Sequence, residues 1–279
     1  MNSMLKITLA CGGAALVLPS AAFAQEEERY FDGPYVSGVI SLESANAKAN
    51  RLVFDTDGDG AFDDTVRTST NADAFAPGFC AGRATAATRS CSSRSDDAGF
   101  AIRAGVDRHL GDGPFVAGIL VEGAKPGIEQ YASGFSSTPA SYTIGREIDW
   151  AVTGRARLGV APGSGRALFY GTGGAGFARI EHSFATTNTA NSFTPSGDGD
   201  WEFGWQAGGG AEIMLSRNIG VGLEYLYSSF RDDEYEVAVG RGTAGPTNPF
   251  LIVNGGTDLR ANNSRLEYHS LRASLNLRF

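Results

Sequence analysis

Residues 147–181 read EIDWAVTGRARLGVAPGSGRALFYGTGGAGFARIE, two alternating runs joined by a tight turn. In the first run Trp150, Val152, Gly154, Ala156, Leu158 and Val160 fall on one side, and Ala151, Thr153, Arg155, Arg157 and Gly159 on the other. A period of two is a strand's period, because successive side chains point to opposite faces. Pro162-Gly163-Ser164-Gly165 supplies residues that reverse a chain. One face of the run is apolar and begins on a tryptophan, while the other carries two arginines. In a soluble sheet the arginines meet water and the apolar face meets a core. In a membrane barrel the apolar face meets lipid and the arginines point into a polar lumen. This stretch alone fits both arrangements.

The same alternation recurs along the chain. Residues 34–43 form a first strand of ambiguous facing, because Val36, Ile40 and Leu42 compete with Tyr35 and Val39. Residues 99–108, 115–122, 201–215, 219–227 and 267–279 alternate clearly, the best of them placing Trp201, Phe203, Trp205, Ala207 and Ile213 against Glu202, Gln206 and Glu212. With the opening pair this predicts eight strands, whose connections alternate strictly between long and short. Short turns at one end and long loops at the other are the sorting of an outer-membrane barrel, and a soluble sandwich has no reason for it. The expected fold is therefore all-β: an eight-stranded antiparallel up-and-down transmembrane β-barrel. Its inward positions collect Arg103, Arg155, Arg157, Arg272 and Arg278 together with Asp107, Glu122, Glu202, Glu212 and Glu224. Eight strands enclose only enough room for side chains, so these charges must pair.

Composition supports this reading. The chain has 279 residues, 38 of them Gly, and a formal net charge of -8, which argues against nucleic acid as a partner. No apolar run reaches the roughly 18 residues of a membrane helix. Residues 1–24 carry Lys6, an apolar stretch and the Ala22-Phe23-Ala24 cleavage pattern of a secretory signal peptide, leaving residues 25–279 as the barrel domain with a long first loop at about 44–97. That loop reads as irregular and holds two features. Cys80 and Cys91 are the only cysteines beyond the leader, and export makes a disulfide between them the default. The run from Asp55 to Asp63 has the spacing D-x-D-x-D-G-x-x-D, placing Asp55, Asp57, Asp59, the Ala61 carbonyl and Asp63 where a calcium loop has ligands. Val66 stands where an EF-hand has its bidentate Glu, so binding would be weak, about 10⁻⁴–10⁻³ M. An acidic, solvated turn explains the same residues.

GWQAGGGAEIMLSRNIGVGLEYLYSSF, the paired run of the opening, and a terminal strand ending in Phe279 resemble the small opacity-type, porin-like outer-membrane barrels of Gram-negative bacteria, relatives of the barrel domain of outer membrane protein A. The acidic run resembles, over about ten residues, the shortened calcium loops of dockerin and thrombospondin type 3 repeats. The barrel resemblance implies an outer-membrane location, contact with lipid, Phe279 as a signal to the barrel-assembly machinery, and no enzymatic activity. Catalytic constellations are also missing from the pattern. His182-Ser183 and His269-Ser270 are adjacent strand residues, so they point to opposite faces and cannot act as base and nucleophile. No histidine or cysteine cluster has zinc spacing. The expectation is a structural or surface-interaction barrel meeting an external ligand or host surface. A narrow porin-like channel and a secreted lipocalin-like carrier are the alternatives.

Overall fold

The computed structural model describes residues 29–45, 50–92, 96–199 and 201–279; the expected signal peptide lies outside them. Eight strands build the barrel: β1 Gly33–Ala45, β2 Asp96–His109, β3 Phe115–Lys125, β4 Ala140–Val160, β5 Ala167–Thr186, β6 Trp201–Met214, β7 Ile219–Arg231 and β8 Arg265–Arg278. Each pairs antiparallel with its neighbours in sequence, and β8 pairs with β1 to close the ring. Closure leaves no sheet edge, the condition for placing strands in lipid.

Alternation assigns the faces. On β6 Trp201, Phe203, Trp205 and Ile213 are exposed, while Gln206 and Glu212 are buried. On β1 the facing is now settled: Val36, Ile40 and Leu42 point out, and Tyr35, Ser37, Val39, Ser41 and Glu43 point in. The pattern was ambiguous because the lumen takes apolar filling at Tyr35 and Val39. Outside, Ile102 is 71 % exposed and Ile40 69 %, and a continuous wall of such chains is stable only against lipid. Trp150 and Trp201 both stand opposite Arg179, on either side of β5, and mark one rim. Phe115 and Phe169 both pair with Val160 near the other rim. From Trp150 to Val160, at about 3.3 Å per residue and a tilt of about 40°, the wall rises about 25 Å, the height of the apolar band of such barrels.

Beyond Trp150 the architecture departs from the sequence expectation. β4 runs for 21 residues and β5 for 20, well past the apolar band. Their register shifts between Arg179 and Ile180, which leaves Asp149 of β4 without an opposite residue on β5, a bulge at the rim. The long loops, the first of them read above as irregular, fold together on this extension into a cap. Ser192–Ser196, Glu236–Gly240, Thr257–Ala261 and Leu52–Asp55, drawn from three separate loops, form a four-stranded sheet in that order. Glu129–Ser136, from the remaining long loop, pairs with the upper part of β4, and Gly78–Cys80 pairs with it in turn. Between these layers lies a second hydrophobic core, with Leu52, Phe54, Phe75, Tyr142, Val237, Phe250 and Leu259 buried in it. The Cys80–Cys91 disulfide is formed, joining two short strands at the edge of the cap.

Candidate functional site

The lumen is the first place to look for chemistry, and it is packed. At the short-turn end Phe31, fully buried, caps the barrel together with Val116, Leu168 and Met214. Above it lies a cluster of four charges. Arg157 bonds the Asp107 carboxylate through two nitrogens and reaches Glu212 at 3.3 Å; Arg278 reaches Asp107 at 2.8 Å and Glu212 at 2.9 Å. The Tyr35 ring sits under both guanidiniums, 4.6 Å from Arg157 and 4.7 Å from Arg278. Gly118 makes this possible, because a Cβ there would collide with the Asp107 carboxylate.

One layer higher, three arginines share two glutamates. Glu122 accepts from Arg103 Nε at 3.0 Å, Arg155 Nη2 at 2.9 Å and Arg272 Nη2 at 2.7 Å. Glu224 accepts from Arg103 at 2.8 Å, Arg155 at 3.1 Å and the Tyr170 hydroxyl at 3.0 Å, with Arg272 at 3.4 Å. All nine ionic side chains of the two layers are 4 % exposed or less. So nine of the ten inward charges expected from the sequence converge. Glu202 is the exception: it lies on the inward side of β6 but only half-buried, ten residues from the network member on its strand, Glu212, with Gln206 and the glycines intervening. Alternation gives a residue's face but not its depth. Glu43 was missed for the opposite reason, since the facing of β1 was open. It is buried on the inner wall and accepts from Ser41 Oγ at 2.9 Å, Gly127 N at 2.9 Å and Ser270 Oγ at 3.4 Å.

The long-loop mouth is closed as well. Phe230, Leu266 and Tyr268 pack inside it against Ile128, Ile148 and Ile180. Over this apolar layer sits Arg146, which sequence reasoning also missed. It is buried, bonds Asp232, takes Gln130 Oε1 at 2.6 Å and donates to the Asn263 and Arg265 carbonyls. His182 Nε2 lies 2.7 Å from Asp232 Oδ1, and its ring stacks on Tyr235 with centroids 4.3 Å apart. Burial raises the Asp232 pKa, but the His182 hydrogen bond and the Arg146 charge outweigh it and hold the carboxyl below the usual range. Burial pushes the Tyr235 phenol up to about 12. Ser270 points inward to Glu43, while its neighbour His269 faces out onto the Tyr225 hydroxyl at 2.6 Å.

The acidic run lies on the cap, rearranged relative to the sequence expectation. Carboxylate oxygens of Asp55, Asp57 and Asp64 come within 4.8 Å of one another. Asp63 is exposed and outside this group, as is Asp59, whose carboxylate instead accepts the Ala61 amide at 2.7 Å. Asp64 takes the place given to Asp63 because Leu52–Asp55 is a strand and Phe54 bridges to Asp64, turning its side chain onto Thr56. Those two Thr56 hydrogen bonds lower the Asp64 pKa. Asp55 is already satisfied by the Gly58 and Gly60 amides at 2.7 and 2.8 Å.

A closed eight-strand barrel, apolar outside and ion-paired within, under a folded cap, defines an outer-membrane-type barrel protein. The family model for the outer membrane protein beta-barrel domain matches residues 12–279, and the chain belongs to that family. It is 28% identical over 133 residues to the 31 kDa outer-membrane immunogenic protein of Brucella melitensis biotype 1, a match covering 48% of this chain and 47% of the relative. The protein of the same description from Brucella suis biovar 1 matches equally. The chain thus spans about half the length of the curated relatives it matches. The crystal structure of the outer membrane protein OprG from Pseudomonas aeruginosa superposes with a TM-score of 0.51 at 11% identity, covering 91% of this chain and all of that one, a likeness of fold.

Proposed function

We propose that this protein is a non-conducting outer-membrane barrel that anchors a rigid binding surface, the cap, outside a Gram-negative cell. Its relatives are outer-membrane proteins, and in such barrels the long loops face outward. The observation that carries the reading is the filled lumen: an apolar plug, two ion-paired layers and a second apolar plug follow one another along the axis. A solute would have to break several buried ion pairs to pass, each costly to separate. The work therefore falls to the cap, whose own core holds its loops in fixed positions. Among the described residues no serine, threonine or cysteine side chain bonds a histidine in the lumen or the cap, which favours recognition as the role. Purified protein in planar bilayers is expected to give no steady current, while surface labelling of intact cells reaches cap residues. Stable channels of several hundred picosiemens would overturn the proposal in favour of a porin-like channel.

A further inference from the structure

At the tip of the cap, farthest from the membrane band, a crevice of about 270 Å³ opens between the hairpin end at Ser136–Ala140, the turn after β5 and the short helical turn Pro249–Leu251. We propose that this crevice binds the terminal sugar of a neutral saccharide. The inference rests on the cap being the interaction surface and adds the chemistry of what it recognises.

The first observation is what the lining lacks. The chain is 19% charged residues, yet among the described residues no Asp, Glu, Lys, Arg or His lines the crevice. An ionic ligand would lose its hydration there and gain no partner. The second is what the lining offers. The rim carries the exposed hydroxyls of Ser137, Thr138 and Thr189 and the half-buried amide of Asn248. Hydroxyls and carboxamides both donate and accept, as the neighbouring hydroxyls of a sugar ring do. Pro249, backed by the buried Phe250 and Tyr142 rings, supplies an apolar side, suited to the C–H face of such a ring.

The third is rigidity. Asn191, buried, is a hub: its Oδ1 accepts from Asn188 Nδ2 and Asn248 Nδ2, each at 3.0 Å, and its Nδ2 donates to the Gly240 carbonyl at 3.0 Å. Asn188 also donates to the Tyr142 hydroxyl at 2.9 Å and accepts the Ala190 and Asn191 amides. Phe75, Tyr142 and Phe250 pack on one another beneath, with centroids 5.4–5.9 Å apart. The rim is thus held in place before any ligand arrives, which lowers the ordering cost of binding. The volume falls below the roughly 300–1,000 Å³ of drug-sized pockets, which limits the occupant to one or two sugar units.

The test uses the full-length protein refolded in a zwitterionic detergent without sugar headgroups. Saturation-transfer NMR and calorimetry would measure methyl hexosides and neutral disaccharides against sialylated and sulfated versions of the same sugars. Neutral ligands are expected to bind, with the charged versions at least tenfold weaker. Thr138→Arg and Thr189→Asp, both at exposed positions, are expected to weaken binding at least tenfold and leave heat-modifiable gel mobility unchanged. Arms with the cell's own polysaccharide and with host-type oligosaccharides separate the two sources of the sugar. No saturable binding of any neutral saccharide at millimolar concentration, preference for the charged versions, or wild-type binding by both variants would each overturn the proposal. Silent bilayers together with absent sugar binding would remove the saccharide while leaving the non-conducting barrel standing.

Discussion

Substituting Glu122 by Gln is expected to destabilise the barrel far more than substituting Arg155 by Met, although the two residues bond each other. The upper lumen layer sets three guanidiniums, Arg103, Arg155 and Arg272, against the two carboxylates of Glu122 and Glu224. Losing Glu122 removes a partner from all three arginines and leaves them one carboxylate. Each is buried, so none recovers water. Breaking a buried pair in this way costs about 3–5 kcal/mol, because uncompensated charge remains. Losing Arg155 instead leaves two arginines and two glutamates, still bonded to each other, and Met fills much of the vacated volume. Replacing buried ionic groups by apolar ones of similar size is often close to neutral, so about 0–2 kcal/mol is expected. Adding Arg155→Met to the Glu122→Gln variant should recover part of the loss. Urea unfolding of the protein folded into vesicles, followed by tryptophan fluorescence and gel mobility, measures all three. Equal costs for the two single variants, or a double variant weaker than Glu122→Gln alone, would refute the charge accounting.

Ala207 stands opposite Gly173 in the middle of the lipid-facing wall, whereas Ile213 lies one residue from the short-turn end of its strand. Ala207→Arg is therefore expected to cost about 2–4 kcal/mol and Ile213→Arg about 0–1 kcal/mol by the same unfolding assay, and the reverse order would count against this placement of the membrane. Asp232 has its folded pKa lowered, so it stabilises the cap at neutral pH, and that contribution fades as pH falls below the ordinary aspartate value near 3.8. Cap amides should accordingly show lower protection factors, relative to intrinsic exchange, at pH 3 than at pH 6, and Asp232→Asn should flatten the difference. Calorimetry at millimolar calcium tests the acidic loop: heats should be weak, with Kd about 10⁻⁴–10⁻³ M, and lost in Asp57→Ala. Identical heats from both proteins would mean that the run is a solvated turn.

Strand number, topology and most of the lumen were legible because alternation is a local signal, readable within one strand such as Trp201–Met214. The cap was not legible. The strands of its four-stranded sheet are four or five residues long, too short to show a period, and its core joins Leu52, Tyr142 and Phe250 from widely separated segments. Leu52 and Phe250 lie in short apolar stretches, and all three within segments that read as polar loops. Arg146 was hidden for a different reason. It shares the even-numbered phase of Trp150, which points outward, and only the extra residue at Asp149 carries it inside.

That extra residue lets a single strand serve two surroundings. Below it, β4 turns even-numbered side chains toward hydrocarbon; above it, the even-numbered Arg146 and Ile148 turn toward the interior while Glu147 meets water. Asp149 works as a phase shifter placed at the boundary between solvents. Deleting that one residue would remove the bulge but keep both the ladder with β5 and the facing, because Ile148 would then alternate directly with Trp150. Were Asp149 drawn into the ladder instead, the upper strand would turn over: a guanidinium would face outward just above the membrane, and Glu147 would enter the plug beside Phe230. The pairing at this one rim residue is thus felt through the whole cap, while the same strand tolerates exchange among apolar residues along its lipid face.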